Sequence, residues 1–153
     1  MKLVFATSNP HKVHEFKGIV GDSIDVHSLM DINWDQPIEE TADTLEGNAI
    51  LKARTIAEAL EVNCFSEDTG LEIDALDGKP GVYSARYAGP DNNPEKNMQK
   101  VLEELSGVEN RSARFRTVMA LIIDDALHCF HGVVEGEIIH EPKGDGGFGY
   151  DPI

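Results

Sequence analysis

"FATSNPHKVHEF", residues 5–16, runs from an apolar segment through a short polar turn into a segment whose apolar residues have helical spacing. The residues from 2 to 7 are mostly apolar and predict a short buried strand. Pro10 favours the first position of a helix, Asn9 the capping position before it, and Gly21 the end of that helix. The stretch therefore predicts a strand followed directly by a helix, as at the beginning of an α/β fold.

The polar turn in this stretch has two interpretations. Thr7, Ser8 and Asn9 carry the hydroxyl and amide groups that commonly cap a helix, and capping alone explains most such residues. The same groups, together with the unpaired N–H groups of the first helical turn and the charge of Lys12, also form a suitable site for a phosphate group. The turn by itself favours capping and leaves phosphate binding open.

Strand and helix patterns continue along the rest of the chain. Strands are predicted over residues 24–29, 63–67, 71–76, 113–124 and 129–140, and helices over residues 44–60 and 94–105. Asp43 and Glu46 have the spacing of a capping box for the first of these two helices. The polar residues at 68–70 predict a break between two strands, and the last two strands predict an antiparallel hairpin. We therefore expect one α/β domain over residues 1–153, with a mixed β-sheet.

The composition argues against several classes of protein. The chain has 153 residues and a formal net charge of -15, so its field repels polynucleotides and anionic membrane surfaces. No apolar run approaches the length of a signal peptide or a membrane span. Cys64 and Cys129 lack the spacing of a zinc site or a disulfide framework, which favours reduced thiols and a cytoplasmic location. A small anion is still compatible with this charge where basic groups converge.

The acidic stretch "SEDTGLEI", residues 66–73, is a candidate metal site. Neighbouring residues of a strand point to opposite faces, so one of Glu67 and Asp68 is available to a hydrated cation. Magnesium needs few carboxylates because it keeps several waters, and a second acid is available from the Glu39–Glu40 pair. The alternative interpretation is an acidic turn exposed to solvent, and in a chain this acidic it is as consistent with the sequence as a metal site.

The glycine-rich stretch "EPKGDGGFGYDP", residues 141–152, is a candidate site for a nucleobase. Phe148 lies between glycines that permit close approach of a ligand, and Asp151 can accept hydrogen bonds from ring N–H groups. The alternative is a buried aromatic residue that anchors the loop. Lys52 and Arg86 are further phosphate contacts or else surface charges, and the i, i+3 spacing of His128–His131 on a strand disfavours a metal site.

Read together, these stretches resemble the inosine/xanthosine triphosphate pyrophosphatase family. The resemblance is carried by "FATSNPHKVHEF", "EETADTLEGNAILKA", "SEDTGLEIDALDGKPGVYSARYAG", "NMQKVLEEL" and "GGFGYDPI", which follow in the family's order. It implies an elongated mixed α/β fold with flanking helices and a central nucleotide-binding cleft, in a cytoplasmic homodimer. It also implies magnesium-dependent hydrolysis of deaminated purine nucleoside triphosphates, ITP, dITP and XTP, to the monophosphate and pyrophosphate.

The same resemblance implies roles for individual residues. Asp68 matches the general base, and it also matches a magnesium ligand together with Glu40, for which Glu39 remains an alternative. The positions that match substrate contacts are Thr7, Ser8, Asn9, Lys12, Lys52, Thr69, Arg86, Phe148, Gly149, Tyr150 and Asp151. In this interpretation the polar turn both caps a helix and holds the triphosphate.

Members of the family continue beyond the segment that ends here at Ile153, with a Lys and a Ser-His-Arg motif that complete the base pocket. We therefore expect residues 1–153 to be an incomplete form of the family's domain. Two alternative functions stay open. One, motivated by this difference, is a catalytically silent nucleotide-binding or assembly domain, and the other is a related pyrophosphatase that acts on other nucleotides. The preferred purine stays open.

Overall fold

The computed structural model describes all residues from 1 to 153 and contains five strands and three α-helices. Their bounds are β1 Lys2–Phe5, α1 Pro10–Val20, β2 Asp25–Ser28, α2 Leu45–Leu60, β3 Cys64–Ile73, α3 Pro94–Glu104, β4 Ser112–Ile123 and β5 Ala126–Glu137. Short 3₁₀ turns cover Gly21–Ser23, Asp74–Leu76 and Gly81–Arg86. No helix has the length and apolar composition needed to cross a membrane.

The five strands form one sheet in the order β2-β1-β3-β4-β5. Strand β1 pairs in parallel with β2 and with β3, with Val4 opposite Cys64 in the second pairing. Two residues, Asp124 and Asp125, connect β4 to β5, and both have positive φ, 48° and 66°. This is the conformation of a tight hairpin turn, which confirms the predicted hairpin and the mixed sheet.

The chain divides into two compact units. Unit 1 comprises Met1–Asp68 and Val118–His131, and unit 2 comprises Thr69–Thr117 and Gly132–Ile153. Strands β3, β4 and β5 each contribute residues to both units. The expectation of one domain over residues 1–153 stays a prediction.

In unit 1, successive side chains of strand β1 point to opposite faces of the sheet, and each face packs against a different helix. Phe5 stacks on Phe65 with ring centroids 4.3 Å apart, and Phe16 of α1 lies 4.5 Å from Phe65. On the other face, Val4 belongs to a buried cluster with Ile56 of α2. Because β1 leads directly into α1, this packing fixes the position of the α1 N-terminus.

In unit 2, apolar residues of α3 and of its C-cap pack on the second half of β3. Val101 and Leu105 are fully buried, and they share a cluster with Ile73 and Tyr150. The guanidinium of Arg111 donates to the carbonyl oxygens of residues 105, 138 and 139, which satisfies main-chain groups at the end of α3 and after β5.

Most predicted elements are confirmed, but three local predictions are wrong. Strand β3 continues through residues 68–70 instead of breaking, because pairing and burial along the strand outweigh the local turn signal. Residues 74–76 form a 3₁₀ turn rather than the end of a strand. The cap of α2 is Thr44, whose hydroxyl accepts from Gly47 N at 3.0 Å, and not Asp43.

Candidate functional site

The turn between β1 and α1 is a capped helix N-terminus, as predicted. Asn9 Oδ1 accepts from His11 N at 3.0 Å, and Asn9 N donates to Thr7 Oγ1 at 3.1 Å. Thr7 is buried, whereas Ser8 is exposed. The first turn of α1 contains no acidic side chain, so no carboxylate in that turn opposes an anion at the helix N-terminus.

Lys12, one turn into α1, forms an ion pair with Glu67 of β3. Lys12 Nζ lies 2.6 Å from Glu67 Oε1, and the two side chains are 20% and 10% exposed. The pair therefore brings the ammonium group of α1 to the strand that also carries Asp68.

Lys52 of α2 reaches the same part of β3 from the other helix. Its side chain is 7% exposed, and its Nζ lies 2.8 Å from the carbonyl oxygen of Glu67 and 3.2 Å from Glu40 Oε1. A lysine is rarely buried without partners, and these two acceptors satisfy donors of the ammonium group. The structure thus joins Glu40, rather than Glu39, to this cluster.

Asp68 is a buried carboxylate with an unsatisfied oxygen. The residue is 7% exposed, and Oδ2 has no hydrogen-bond partner. Burial raises the pKa of Asp68 to about 6; Lys52 and Lys12 lower the pKa, and Glu40 and Glu67 raise it. A carboxyl with such a pKa exchanges protons near neutral pH, which suits a general base.

The segment that carries Glu40 is docked on the first turn of α2. Asn48 is fully buried, and its Oδ1 accepts from Ala42 N at 2.9 Å. A Cβ at Gly47 would lie 2.7 Å from Ala42 Cβ and 2.9 Å from Thr44 Oγ1, so only glycine allows this approach. Gly47 and Asn48 therefore hold the segment after Glu40, a role that the sequence analysis missed.

The acids fit magnesium better than they fit a metal held by protein ligands alone. The structure contains no group of three or more His, Cys, Asp or Glu residues positioned for a metal ion. Glu40 and Asp68 are close enough for Glu40 to raise the pKa of Asp68, and Asp68 Oδ2 is unsatisfied. One or two carboxylates with waters and substrate phosphates form a typical magnesium site.

The remaining predicted site residues belong to unit 2. Thr69 Oγ1 lies 2.7 Å from Thr117 Oγ1, so the two hydroxyls share a hydrogen bond. The guanidinium of Arg86 lies over the ring of Tyr83, 5.0 Å from its centroid. Both Thr69 and Arg86 are therefore held by neighbours within their own unit.

The glycine-rich stretch closes on itself through Asp151. Phe148 N donates to Asp151 Oδ2 at 2.9 Å, and a Cβ at Gly147 would overlap that same oxygen and lie 2.9 Å from Asp151 Cβ. Gly147, whose φ is +73°, is thus required by the turn although the sequence analysis did not single it out. Gly149 also has positive φ, at +60°.

Tyr150 has the contacts of an anchor for this loop. Its ring is buried in the core of unit 2, and its hydroxyl donates to the carbonyl oxygen of Ser84 at 2.6 Å. Ser84 Oγ in turn accepts from Leu71 N at 2.9 Å. The sequence left two interpretations for an aromatic residue in this stretch, a ligand contact or a buried anchor of the loop. Tyr150 is the buried anchor.

The predicted residues therefore fall into two sets. Unit 1 contains Thr7, Ser8, Asn9, Lys12, Glu40, Lys52 and Asp68, and unit 2 contains Thr69, Arg86, Phe148, Gly149, Tyr150 and Asp151. In unit 1, Lys12 of α1, Lys52 of α2, Glu67 and Asp68 of β3 and Glu40 of the segment before α2 form one cluster, the unit 1 cluster, in which Glu67 contacts both lysines.

Known proteins resemble the chain over its whole length. The profile of the Ham1 family matches residues 3–153. The dITP/XTP pyrophosphatase of Flavobacterium johnsoniae is 50% identical over 153 residues, covering 100% of this chain and 80% of that protein. The dITP/XTP pyrophosphatase of Bacillus subtilis is 49% identical over 154 residues, covering 98% of this chain and 78% of that protein.

A solved structure agrees with the fold. The HAM1 protein of Coxiella burnetii superposes with a TM-score of 0.88 at 40% identity, covering 100% of this chain and 80% of that chain. The match in sequence and the match in structure extend through both units. The chain belongs to the Ham1 family.

Proposed function

We propose that the chain hydrolyses deaminated purine nucleoside triphosphates, ITP, dITP and XTP, to the monophosphate and pyrophosphate. The names of relatives about half identical in sequence support this substrate class. The observation that carries the chemistry is Asp68, a buried carboxylate with an unsatisfied oxygen, next to two lysines from different helices.

The triphosphate would be held by the turn before α1 and by the lysines. The exposed Ser8 hydroxyl and the ammonium of Lys12 are donors suited to phosphate oxygens, and the N-terminus of α1 favours an anion. Lys52 adds a second positive charge beside Asp68. These charges stabilise an anionic tail whose charge increases as pyrophosphate leaves.

Magnesium dependence is part of the proposal. The unit 1 cluster contains the cations Lys12 and Lys52 but the acids Glu40, Glu67 and Asp68. With all of them ionised, the cluster has an excess of negative charge and repels a free triphosphate. Glu40 and Asp68 would hold the ion, which when bound neutralises phosphate oxygens and acidifies a bound water.

Asp68 would act as the general base. Its unsatisfied Oδ2 accepts a proton from a water molecule, the water oxygen forms a bond to the α-phosphorus, and the bond from that phosphorus to the pyrophosphate oxygen breaks. Above pH 6 the carboxyl is mostly ionised and able to accept the proton. Lys52, which favours the ionised form, keeps the pKa from rising further.

Recognition of the base and assembly are also proposed. The resemblance assigns the nucleobase to the segment from Phe148 to Asp151, and this role fits a loop held in shape by the Asp151 side chain and by buried Tyr150. We also expect a homodimer in the cytoplasm. Analytical ultracentrifugation at several protein concentrations tests the dimer.

Pyrophosphate release tests the proposed function. The chain is incubated with ITP, XTP, dITP, GTP, ATP and dTTP, each with magnesium and with a chelator. We expect fast release from the first three nucleotides, slow release from the others, and none with the chelator. Tight binding of ITP without turnover would instead support the catalytically silent nucleotide-binding domain, and equal rates on all six would overturn the specificity.

A further inference from the structure

We propose that Glu67 is a positioning residue that holds both lysines of the unit 1 cluster, Lys12 through its side chain and Lys52 through its main chain. This inference rests on the proposed function and adds to it a residue that acts through Lys12. The contacts that carry it are the 2.6 Å ion pair to Lys12 and the 2.8 Å hydrogen bond from Lys52.

The two contacts arise from different atoms of one residue. The Glu67 carboxylate meets an ammonium from α1, and the Glu67 carbonyl oxygen meets an ammonium from α2. A change confined to the side chain therefore releases Lys12 while the main-chain acceptor for Lys52 persists. The chain thus offers a way to separate the two lysines by experiment.

Burial indicates that the ion pair persists when phosphate binds. The Glu67 side chain is 10% exposed, and an ionised carboxylate left buried without its cation is strongly unfavourable. A lysine ammonium has three donors, so Lys12 can keep one on Glu67 and direct others to a phosphate oxygen. Glu67 is therefore not a competitor that the phosphate must displace.

Lys12 needs such a partner because its side chain is long and flexible. A free lysine loses much rotamer entropy when it binds a phosphate, whereas one already fixed by an ion pair loses less. The 20% exposure of the Lys12 side chain leaves part of it accessible to a ligand. Glu67 thus prepares Lys12 for binding without touching the reacting atoms.

The test is a double-mutant cycle on Glu67→Gln and Lys12→Met with ITP as substrate. Glutamine keeps the shape of the side chain but loses the charge, so KM should rise about tenfold while kcat changes less than about threefold. In the Lys12→Met background, Glu67→Gln should change KM no further. Glu15→Gln, which removes an exposed carboxylate of α1, should leave KM unchanged.

Additive effects in the cycle, or an unchanged KM in Glu67→Gln, would overturn the proposal. If Glu67→Gln fails to fold, it is replaced by Glu67→Asp, which keeps the charge on a shorter side chain. A smaller rise in KM is then expected. Calorimetric binding of inorganic tripolyphosphate by the same variants gives a readout without turnover. A wild-type chain that binds tripolyphosphate but does not hydrolyse ITP would contradict the proposed function alone.

Discussion

The ammonium of Lys52 lies 3.2 Å from the carboxylate of Glu40, although 12 residues separate them in the sequence. Lys52 is on α2, and Glu40 is in the segment that precedes the helix. The helix cap and the docked segment between them bring the two charges together beside Asp68.

Replacing Lys52 by Met should move the pH dependence of activity. Lys52 lowers the pKa of Asp68, so its removal raises that pKa above about 6. The acidic limb of the kcat/KM profile should move to higher pH, and kcat/KM at pH 7 should fall at least about tenfold. Steady-state kinetics between pH 5 and 9 check this.

Lys17→Met is the matched control for that experiment. Lys17 is an α1 lysine whose side chain is 49% exposed, and its nearest acid is Asp31, 3.7 Å away. We expect the acidic limb of the kcat/KM profile of Lys17→Met to coincide with that of the wild type. An unshifted limb in Lys52→Met would show that Lys52 does not influence the base.

Replacing Asp68 by Asn should abolish turnover and stabilise the fold at neutral pH. Burial raises the pKa of Asp68 from 3.8 to about 6 on folding. The protonated carboxyl therefore contributes stability below about pH 4, and this contribution is lost as pH rises through about 6. The uncharged amide avoids the loss and should add about 3 kcal/mol to the free energy of unfolding at pH 7.

Urea unfolding of the wild type and of Asp68→Asn at pH 4 and pH 7 measures this difference. The gain should be present at pH 7 and absent at pH 4. Asp22→Asn changes an exposed acid, and it should have the same small effect on the free energy of unfolding at pH 4 and at pH 7. A gain for Asp68→Asn that is equal at the two pH values would contradict the linkage to this carboxyl.

Replacing Gly47 by Ala should reduce both stability and activity. The new Cβ would lie 2.7 Å from Ala42 Cβ, so the segment after Glu40 must shift. We expect a loss of about 1–3 kcal/mol and a higher magnesium requirement for turnover. Gly18→Ala, in α1 with open space around the new Cβ, should instead stabilise by about 0.5–1 kcal/mol. Equal effects in the two variants would remove the steric argument.

Replacing Tyr150 by Phe should weaken unit 2. The lost hydroxyl donates to the Ser84 carbonyl oxygen at 2.6 Å in a buried position, and such a hydrogen bond contributes about 1 kcal/mol. Thermal unfolding of this variant is compared with that of Tyr83→Phe, whose side chain is half exposed. A lower melting temperature is expected for Tyr150→Phe only, and identical temperatures would contradict the anchor.

Local sequence signals predicted those elements whose cause is local. The Asn9–Pro10 cap and the start of α1 follow from propensities, and they are confirmed. Strand β3 was harder to predict, because the polar residues from 68 to 70 resemble a turn until pairing and burial are known. The Thr44 cap was missed because two adjacent residues both suit that position.

In the candidate site too, residues with a local sequence signal were predicted, and residues whose role depends on distant contacts were not. Lys12 and Asp68 were chosen from motifs, but nothing local indicated that Glu67 would meet both lysines, because those contacts join α1, α2 and β3. Asn48 and Gly47 were missed for a related reason. Their role depends on the approach of Ala42 to the first turn of α2, which only the three-dimensional structure shows.

The position of bond cleavage tests the central claim most directly. ITP is hydrolysed with magnesium in water enriched in oxygen-18, and the products are analysed by mass spectrometry. We expect inosine monophosphate that carries the label together with unlabelled pyrophosphate, since the attack is on the α-phosphorus. Label in pyrophosphate or release of orthophosphate, with unlabelled nucleotide, would contradict the account.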